Sequence, residues 1–291
     1  MTLDDWHASG LTFSHRNHAL FYQDEGAGEA LVCIHGFPTA SWDWYKLWPT
    51  LTDHYRVIAL DMLGFGFSDK PRRHKYSLFT QATLYEALLD HLGLGTVHLL
   101  AHDYGDTVVQ ELLARYHKRQ AQDRPGLQIK SVCLLNGGIF PEAIRPRPIQ
   151  KLLIGPLGGL VGRVMNEDLF GKNFSAVFGP DTQPTDDELA DFWRLIAHHD
   201  GVRVAHKISQ YQNERRQNRK RWVGALQQTT VPLRFINGPL DPVSGAMMVT
   251  RYRQLIPDPD VVVLHGIGHY PQVEAPEAVL EAFFSFVDMS G

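Results

Sequence analysis

Short runs of consecutive apolar residues alternate along the chain with amphipathic stretches. Because these runs are rich in Val, Ile and Leu, they predict strands that are covered on both faces. The six predicted strands are LVCIHG from Leu31, YRVIALD from Tyr55, VHLLAHD from Val97, KSVCLLNGG from Lys130, VPLRFING from Val231 and DVVVLHG from Asp260. The predicted helices between them span residues 77–92, 105–118, 244–256 and 276–287. This alternation predicts an α/β protein with a mostly parallel sheet and right-handed crossovers.

Two segments depart from that alternation. Near the N-terminus, LTFSHRNHALFYQDEG predicts two further strands joined by a turn at Asn17, which form an antiparallel edge and bring the sheet to eight strands. Between about residues 140 and 222 no strand is predicted, and amphipathic stretches such as DDELADFWRLIAHH favour a helical insertion after the sixth strand. The basic run ERRQNRKRW at residues 214–222 is interpreted as a solvated helix face.

Composition narrows the class of protein. The 291 residues are 44% hydrophobic and 21% charged, with 28 Lys and Arg against 32 Asp and Glu, a net charge of −4. This is typical of a soluble globular protein, and it speaks against nucleic-acid binding, which requires a basic surplus. The segment LLIGPLGGLVG from Leu152 is too interrupted to span a bilayer. The start of the chain lacks a secretory pattern, so a cytoplasmic location is expected.

The two cysteines, Cys33 and Cys133, lie inside apolar runs and lack partners at metal-ligand spacing. They are expected to be buried free thiols. Neither a cofactor nor a metal is predicted, and the sequence leaves both a monomer and a homodimer open.

The strongest chemical signal is AHDYGDTVVQ, in which Asp103 ends a predicted strand and a helix begins at once. Ala101 and Gly105 flank it in the small-x-nucleophile-x-small pattern that a sharp strand-to-helix turn requires. Such a turn presents residue 103 above the sheet, at a helix N-terminus that favours negative charge. An ordinary helix N-cap is the alternative, since Asp is a preferred capping residue.

Two later motifs support the catalytic interpretation. NGPLDPVSG places Asp241 just after a predicted strand, and LHGIGHYPQ places His269 after the next. The order nucleophile, acid, histidine at successive strand ends is that of a hydrolase triad, and parallel strand ends meet at one edge of the sheet. His265 lies four residues before His269, but the intervening GIG speaks against a helix there, and a metal site is rejected.

A fourth motif, IHGFPTA at residues 34–40, contains an HGxP turn. It is expected to offer the backbone N–H of Phe37 as one oxyanion donor, with the N–H of Tyr104 as the second. Two fixed donors would stabilise a tetrahedral oxyanion in a water-poor site.

Together with AHDYGDTVVQELLARY, the segments LLNGGIFPE, FGPDTQP, RWVGAL, GPLDPV and HYPQ carry a resemblance over nearly the whole chain. The chain resembles the α/β-hydrolase superfamily, in the aspartate-nucleophile branch of epoxide hydrolases and haloalkane dehalogenases, and most closely the mesoderm-specific transcript family with its bacterial members. The resemblance implies an α/β-hydrolase core of residues 1–139 and 226–291, with residues 140–225 as a helical cap.

An aspartate nucleophile restricts the reaction. Carboxylate attack on an ester would form an anhydride and reverse, whereas attack on a saturated carbon forms a stable alkyl ester. His269 would then activate water to hydrolyse that ester, with Asp241 holding the imidazole. The expected substrate is a small or medium apolar molecule, and an epoxide is favoured over a halide.

Epoxide opening needs a proton donor, and the cap offers Tyr211 in KISQYQNERR. Members of the branch present two cap tyrosines, so one of His198, His199 and His206 is a candidate for the second donor. Packing of Tyr211 on the core is the alternative.

Haloalkane dehalogenases carry Asn after the HG and Trp after the nucleophile, where this chain has Phe37 and Tyr104. Trp193 is the remaining candidate halide donor, though packing is favoured for it. A non-catalytic ligand-binding homologue is the third hypothesis. Near the nucleophile, Asp106 is expected to complement the helix dipole. Asn136 is expected to give a supporting hydrogen bond, and His102 to point into the sheet packing.

Overall fold

The computed structural model describes residues 1–290, with side chains through Asp288. The strands are β1 Leu11–His15, β2 His18–Glu25, β3 Ala30–Ile34, β4 Arg56–Leu60, β5 Thr96–His102, β6 Gln128–Leu135, β7 Leu233–Asn237 and β8 Asp260–Val263. The helices of the first half are α1 Leu3–Ser9, α2 Trp48–Thr52, α3 Leu78–His91 and α4 Tyr104–Gln120. After β6 follow α5 Pro148–Ile154, α6 Gly158–Val164, α7 Glu167–Ser175, α8 Asp186–Ala197, α9 Ala205–Ile208, α10 Tyr211–Gln217 and α11 Arg219–Gln228. The last helices are α12 Ala246–Leu255, α13 Pro271–Glu274 and α14 Pro276–Ser290.

All eight strands form one sheet in the order β1-β2-β4-β3-β5-β6-β7-β8. The strands β3 to β8 are parallel, while β1 and β2 form the antiparallel edge that the sequence predicts. The turn between β1 and β2 contains Arg16 and Asn17, both with positive φ. The predicted strands, the four predicted helices and the eight-stranded α/β architecture are therefore confirmed.

The sheet is covered on both faces, as its uninterrupted apolar strands require. Along β3, Val32 and Ile34 face one apolar layer, which α3 and α4 complete. Leu31 and Cys33 face the other layer, which includes tryptophans from the N-terminal part of the chain and α14. Both cysteines are free and buried, as expected.

The parallel register brings the carboxyl ends of the central strands to one edge. His102 at the end of β5 pairs with Leu135 of β6, and Leu135 pairs with Ile236 of β7. Residues that follow these strands, including Asp103 and Asn136, therefore lie at the same edge. Ligand sites of open α/β sheets occupy this position.

The insertion after β6 is helical. Residues 140–222, all of which the structure describes, contain no strand, and α5 to α10 form a layer beside the carboxyl edge. Within residues 1–290, none of the helices combines the length and apolarity needed to cross a bilayer.

The interpretation of residues 214–222 as a solvated helix face holds only in part: Arg216, Gln217 and Lys220 are exposed, but other residues of the run contact the core. Trp222 is buried, and Arg221 forms an ion pair with the buried Glu111 of α4. Glu214 accepts a hydrogen bond from the Leu78 N–H at the start of α3. Because a buried carboxylate needs a partner, the ion pair of Arg221 with Glu111 joins the insertion to the core.

Candidate active site

Asp103 lies in a strained turn between β5 and α4. Its φ of 46° and ψ of −99° are conformations that side chains rarely adopt, and such strain persists only where the surroundings enforce it. A Cβ at Gly105 would approach the carbonyl oxygen of Ile34 to 2.3 Å. The small residue at this position is therefore required by backbone packing, as the motif predicts.

The loop after β3 holds one oxygen of that carboxylate. The Phe37 N–H donates a hydrogen bond of 3.2 Å to Asp103 Oδ2. The loop is itself held by a hydrogen bond, since His35 Nε2 accepts the Met62 N–H at 3.1 Å. The Phe37–Pro38 peptide is cis. The structure thus brings the predicted donor Phe37 to Asp103. Tyr104 opens α4, and N–H groups of a first helical turn lack intrahelical acceptors.

The histidine and the second carboxylate meet as the sequence predicts. His269 Nδ1 lies 2.7 Å from Asp241 Oδ2. Asp241 also accepts hydrogen bonds from Ser244 Oγ at 2.7 Å, the Val243 N–H at 2.7 Å and Asn136 Nδ2 at 3.0 Å. The hydrogen bond expected from Asn136 is present. Ser244 adds a bond that the motifs do not suggest.

These contacts set opposite charges on the pair. Burial would raise the pKa of Asp241, but His269, Ser244 and Asn136 outweigh burial and hold it below its usual range. Burial likewise would lower the pKa of His269, but the Asp241 carboxylate, with a further contribution from Asp103, raises it to about 9. Asp103 thus adds to the negative charge that favours the protonated imidazole.

The backbone of His269 is braced from the neighbouring strand. His102 is fully buried and its Nε2 lies 2.8 Å from the His269 carbonyl oxygen. Its Nδ1 lies 3.6 Å from the buried Asp43 carboxylate. His102 does point into the packing, as expected, and its position there ties the histidine loop to β5.

Tyr211 reaches the site from the first turn of α10. Its ring is buried, 4.9 Å from the ring of Tyr104 and 5.8 Å from that of Phe37. Burial and then the negative charge of Asp103 raise the pKa of the phenol, so it remains protonated at neutral pH. The packing role and the proximity to Asp103 therefore coexist.

Arg215 is the site residue that the sequence interpretation misses. It is 3% exposed, and its Nη2 donates to the Asp103 carbonyl oxygen at 2.8 Å and lies 3.5 Å from Asp103 Oδ1. Its Nε donates to Thr107 Oγ1 at 2.8 Å, and its guanidinium carbon stands 4.5 Å from the centre of the Tyr211 ring. The spacing of four residues from Tyr211 on a predicted helix was the available signal, because such residues share a face.

The other donors considered for the cap lie elsewhere. His198 stacks on His199, with ring centres 3.9 Å apart, and His206 lies beside Gly158. Trp193 packs near Phe170, 5.8 Å between ring centres. Like Tyr211, these four are absent from the described residues that line the cavity over His269, and the charged group that contacts the Tyr211 ring is Arg215.

An apolar cavity lies between the insertion and this edge of the sheet. Its water-accessible volume is about 130 Å³, and Phe37 and His269 form part of its floor. Its remaining walls are mainly apolar. They are formed by residues including Leu153, Met165, Phe170, Phe174, Ile196 and Tyr270. The cavity can take an apolar molecule against His269 and Phe37, and Phe37 in turn contacts Asp103 through its N–H and the Tyr211 ring at 5.8 Å between ring centres.

Asp106 is fully buried one turn after Asp103, and a Cβ at Gly137 would approach its carboxyl oxygen to 1.9 Å. Burial, reinforced by the charge of Asp103, raises the pKa of Asp106 well above its ordinary value. A raised pKa opposes the negative charge with which Asp106 is expected to complement the helix dipole, so that role stays a prediction.

The chain is similar to known proteins in sequence and in fold. A sequence profile described as the alpha/beta hydrolase fold matches residues 29–153. Mesoderm-specific transcript protein of Mus musculus is 49% identical over 298 residues, covering 98% of this chain and 88% of that protein. The putative hydrolase LipZ of Mycobacterium tuberculosis is 39% identical over 90% of this chain and 89% of its own length.

More distant likenesses are narrower. A soluble epoxide hydrolase of Corynebacterium sp. is 33% identical over 108 residues, 37% of this chain and 36% of that protein. The crystal structure of the haloalkane dehalogenase DbeA from Bradyrhizobium elkani superposes with a TM-score of 0.80 at 20% identity, covering 97% of this chain and 98% of the other. That structural likeness shows a shared fold.

Proposed function

The chain belongs to the α/β-hydrolase family, in the group of mesoderm-specific transcript protein, and from this premise we propose that it opens epoxides through an ester on Asp103. One observation carries the proposal. The buried Asp103 has one carboxylate oxygen held by the Phe37 N–H, and Arg215 contacts both its other oxygen and the ring of the phenol Tyr211. The partial likeness to a soluble epoxide hydrolase agrees with this chemistry.

In the first step Asp103 Oδ1 attacks an epoxide carbon. The carbon–oxygen bond of the ring breaks, and the alkoxide takes the proton of Tyr211, leaving a hydroxyalkyl ester and a phenolate. Oδ2 is held by Phe37, which leaves Oδ1 as the attacking atom. Arg215, 3.5 Å from Oδ1, offsets the negative charge in this buried setting and is a positioning residue.

In the second step His269 removes a proton from water, which attacks the carbonyl carbon of the ester. The resulting oxyanion develops on Oδ2, where the Phe37 N–H and the first N–H of α4, that of Tyr104, stabilise it. The ester bond then breaks and the alkoxide takes the proton held by His269 and leaves as the diol. The second proton of the water remains on the Asp103 carboxyl and passes to the Tyr211 phenolate, which restores both groups. Because the ester carries no charge, its formation removes one influence that raises the pKa of His269 and so frees the base for this step.

Halide release is the less favoured alternative. Phe37 and Tyr104 carry no N–H donor on their side chains, and Trp193 lies outside the cavity lining. A binding role without turnover is the remaining alternative, and it needs no intact His269–Asp241 pair. The free thiols Cys33 and Cys133 support the proposal that the reaction takes place in the cytoplasm.

A single turnover in heavy-oxygen water tests the proposal. The enzyme in excess is mixed with an apolar epoxide such as styrene oxide, and the peptide containing Asp103 is analysed by mass spectrometry. Label is expected in Asp103 and not in the first diol released, because the diol oxygen comes from the carboxylate. Turnover that leaves Asp103 unlabelled, or no turnover over a panel of epoxides, would refute the proposal.

A further inference from the structure

The helix α6 exposes its large apolar side chains instead of burying them. Leu157 is 61% exposed and Val164 is 69% exposed, and Leu160 between them and Leu152 of α5 are also exposed. We call these four residues, Leu152, Leu157, Leu160 and Val164, the cap ridge. Scattered exposed leucines are common on soluble proteins, but a group of four on one short segment indicates a contact surface.

Glycines explain why the ridge faces outward. Gly158 and Gly162 of α6 are buried, and a Cβ at Gly162 would lie 2.3 Å from the carbonyl oxygen of Val202. A Cβ at Gly158 would lie 2.1 Å from the carbonyl oxygen of Leu153. The helix therefore packs through its glycine face, and the opposite face, which carries the leucines and Val164, has no place in the core.

The charges within the ridge segment are of one sign, and carboxylates flank it at Glu142, Glu167 and Asp168. Residues 143–166 contain Arg145, Arg147, Lys151 and Arg163 and no Asp or Glu. Lys151 and Arg163 are exposed, and no ion pair of either occurs among residues 1–288. A two-fold contact between two copies would set these cations against each other, because such an interface pairs a patch with itself. A surface of anionic lipid headgroups complements them and also accepts apolar side chains.

The same segment forms a wall of the active-site cavity. Ile149, Leu153, Gly162 and Met165 line the cavity from α5, α6 and the residue after them. The ridge residues alternate with these along the chain, so one face of the segment meets the cavity and the other meets solvent. A lipid layer on the outer face would lie one helix thickness from the bound substrate.

We propose that the cap ridge docks the protein on membranes that carry anionic lipids, with Lys151 and Arg163 over the headgroups and the four apolar side chains in the interface. The protein would thus be held on the surface of the bilayer, with α5 and α6 between the lipid and the cavity. This binding needs no chemistry at Asp103, so it stands or fails separately from the proposed reaction.

Vesicle flotation tests the proposal. The full chain is mixed with vesicles of phosphatidylcholine alone and with vesicles of equimolar phosphatidylcholine and phosphatidylglycerol. The wild-type protein is expected to float with the anionic vesicles. Replacing the four ridge residues with Gln should weaken that binding more than about tenfold, because each apolar side chain loses interfacial burial. The substituted positions are exposed, so circular dichroism and the melting temperature should not change.

Two further variants separate charge from apolar contact. The double variant Lys151→Gln/Arg163→Gln should lose roughly fivefold per cation on anionic vesicles, with the loss vanishing at high salt. The matched control Leu11→Gln/Met247→Gln removes two exposed apolar side chains elsewhere and should bind as the wild type does. Equal binding by the wild type and the ridge variant overturns the proposal. The proposal is also overturned if neither protein binds vesicles and sedimentation shows a dimer for the wild type but a monomer for the ridge variant.

Discussion

Replacing Tyr211 with Phe removes one hydroxyl group and leaves the ring contacts in place. The ring packs against Tyr104 and Phe37, and the guanidinium of Arg215 lies over its face. None of these contacts depends on the phenol oxygen. The variant therefore isolates the proton that the epoxide oxygen is proposed to receive.

The expected loss follows from what the hydroxyl does. A positioned general acid contributes about 10²–10⁴-fold to a step in which a poor leaving group must be protonated. Loss of one buried hydrogen bond costs only about 1 kcal/mol of folding free energy, which in a chain of this length lowers the melting temperature by about 2–4 °C at most. Catalysis should therefore fall by at least about a hundredfold while the fold is nearly unchanged.

The assay is a single-turnover measurement of ester formation on Asp103 with matched epoxide and alkyl bromide substrates. Bromide leaves without a proton, so any alkylation by the bromide should persist in Tyr211→Phe while epoxide opening collapses. Tyr252→Phe is the control, since Tyr252 is a fully buried phenol in the apolar layer of α12. Epoxide opening that is reduced less than tenfold in Tyr211→Phe would refute the role of the phenol.

Four other outcomes follow from the same geometry. Arg215→Met should slow the alkylation of Asp103 and change the pH profile of that step, measured by stopped flow. Arg215→Lys should partly restore both. An unchanged pH profile in Arg215→Met would leave only a packing role for Arg215. Hydrolysis of the preformed ester should rise with pH and level off below about pH 9, the pKa to which Asp241 chiefly raises His269 against burial. Asp241→Asn should move that rise to lower pH, because the charge that raises the pKa is gone. Because the folded pKa of His269 exceeds its unfolded value near 6.5, the pair stabilises fully below pH 6.5 and loses this as pH approaches 9, so urea unfolding should show wild type losing stability relative to His269→Gln across that window. Asp106→Asn should gain stability relative to the wild type as pH rises from 4 to 7 in the same urea assay. Burial, and then the charge of Asp103, raises the pKa of Asp106 in the folded protein, so the unfolded carboxyl ionises more readily than the folded one. A stability difference that stays constant with pH would contradict the raised pKa.

One segment of the insertion shows why a residue type can be predicted from the sequence while its burial cannot. The segment KISQYQNERR supplies Tyr211, which the chemistry demanded, and four residues later Arg215, which charge alone assigned to solvent. A guanidinium is costly to bury unless its donors meet acceptors. The acceptors here are the Asp103 carbonyl oxygen and Thr107 Oγ1, more than a hundred residues earlier in the chain. No local pattern contains that information.

The sequence by itself determined the sheet, the order of its elements and the pair Asp241–His269, because apolar periodicity, small residues at a sharp turn and the alignment of parallel strand ends are local or topological constraints. Only the tertiary structure decided which side chains of the insertion contact Asp103, that burial raises the pKa of Asp106, and which leucines remain exposed to solvent. Those outcomes depend on burial and on close approach between distant segments, such as Gly162 against Val202, and both properties arise only when the helices of the insertion pack on the core.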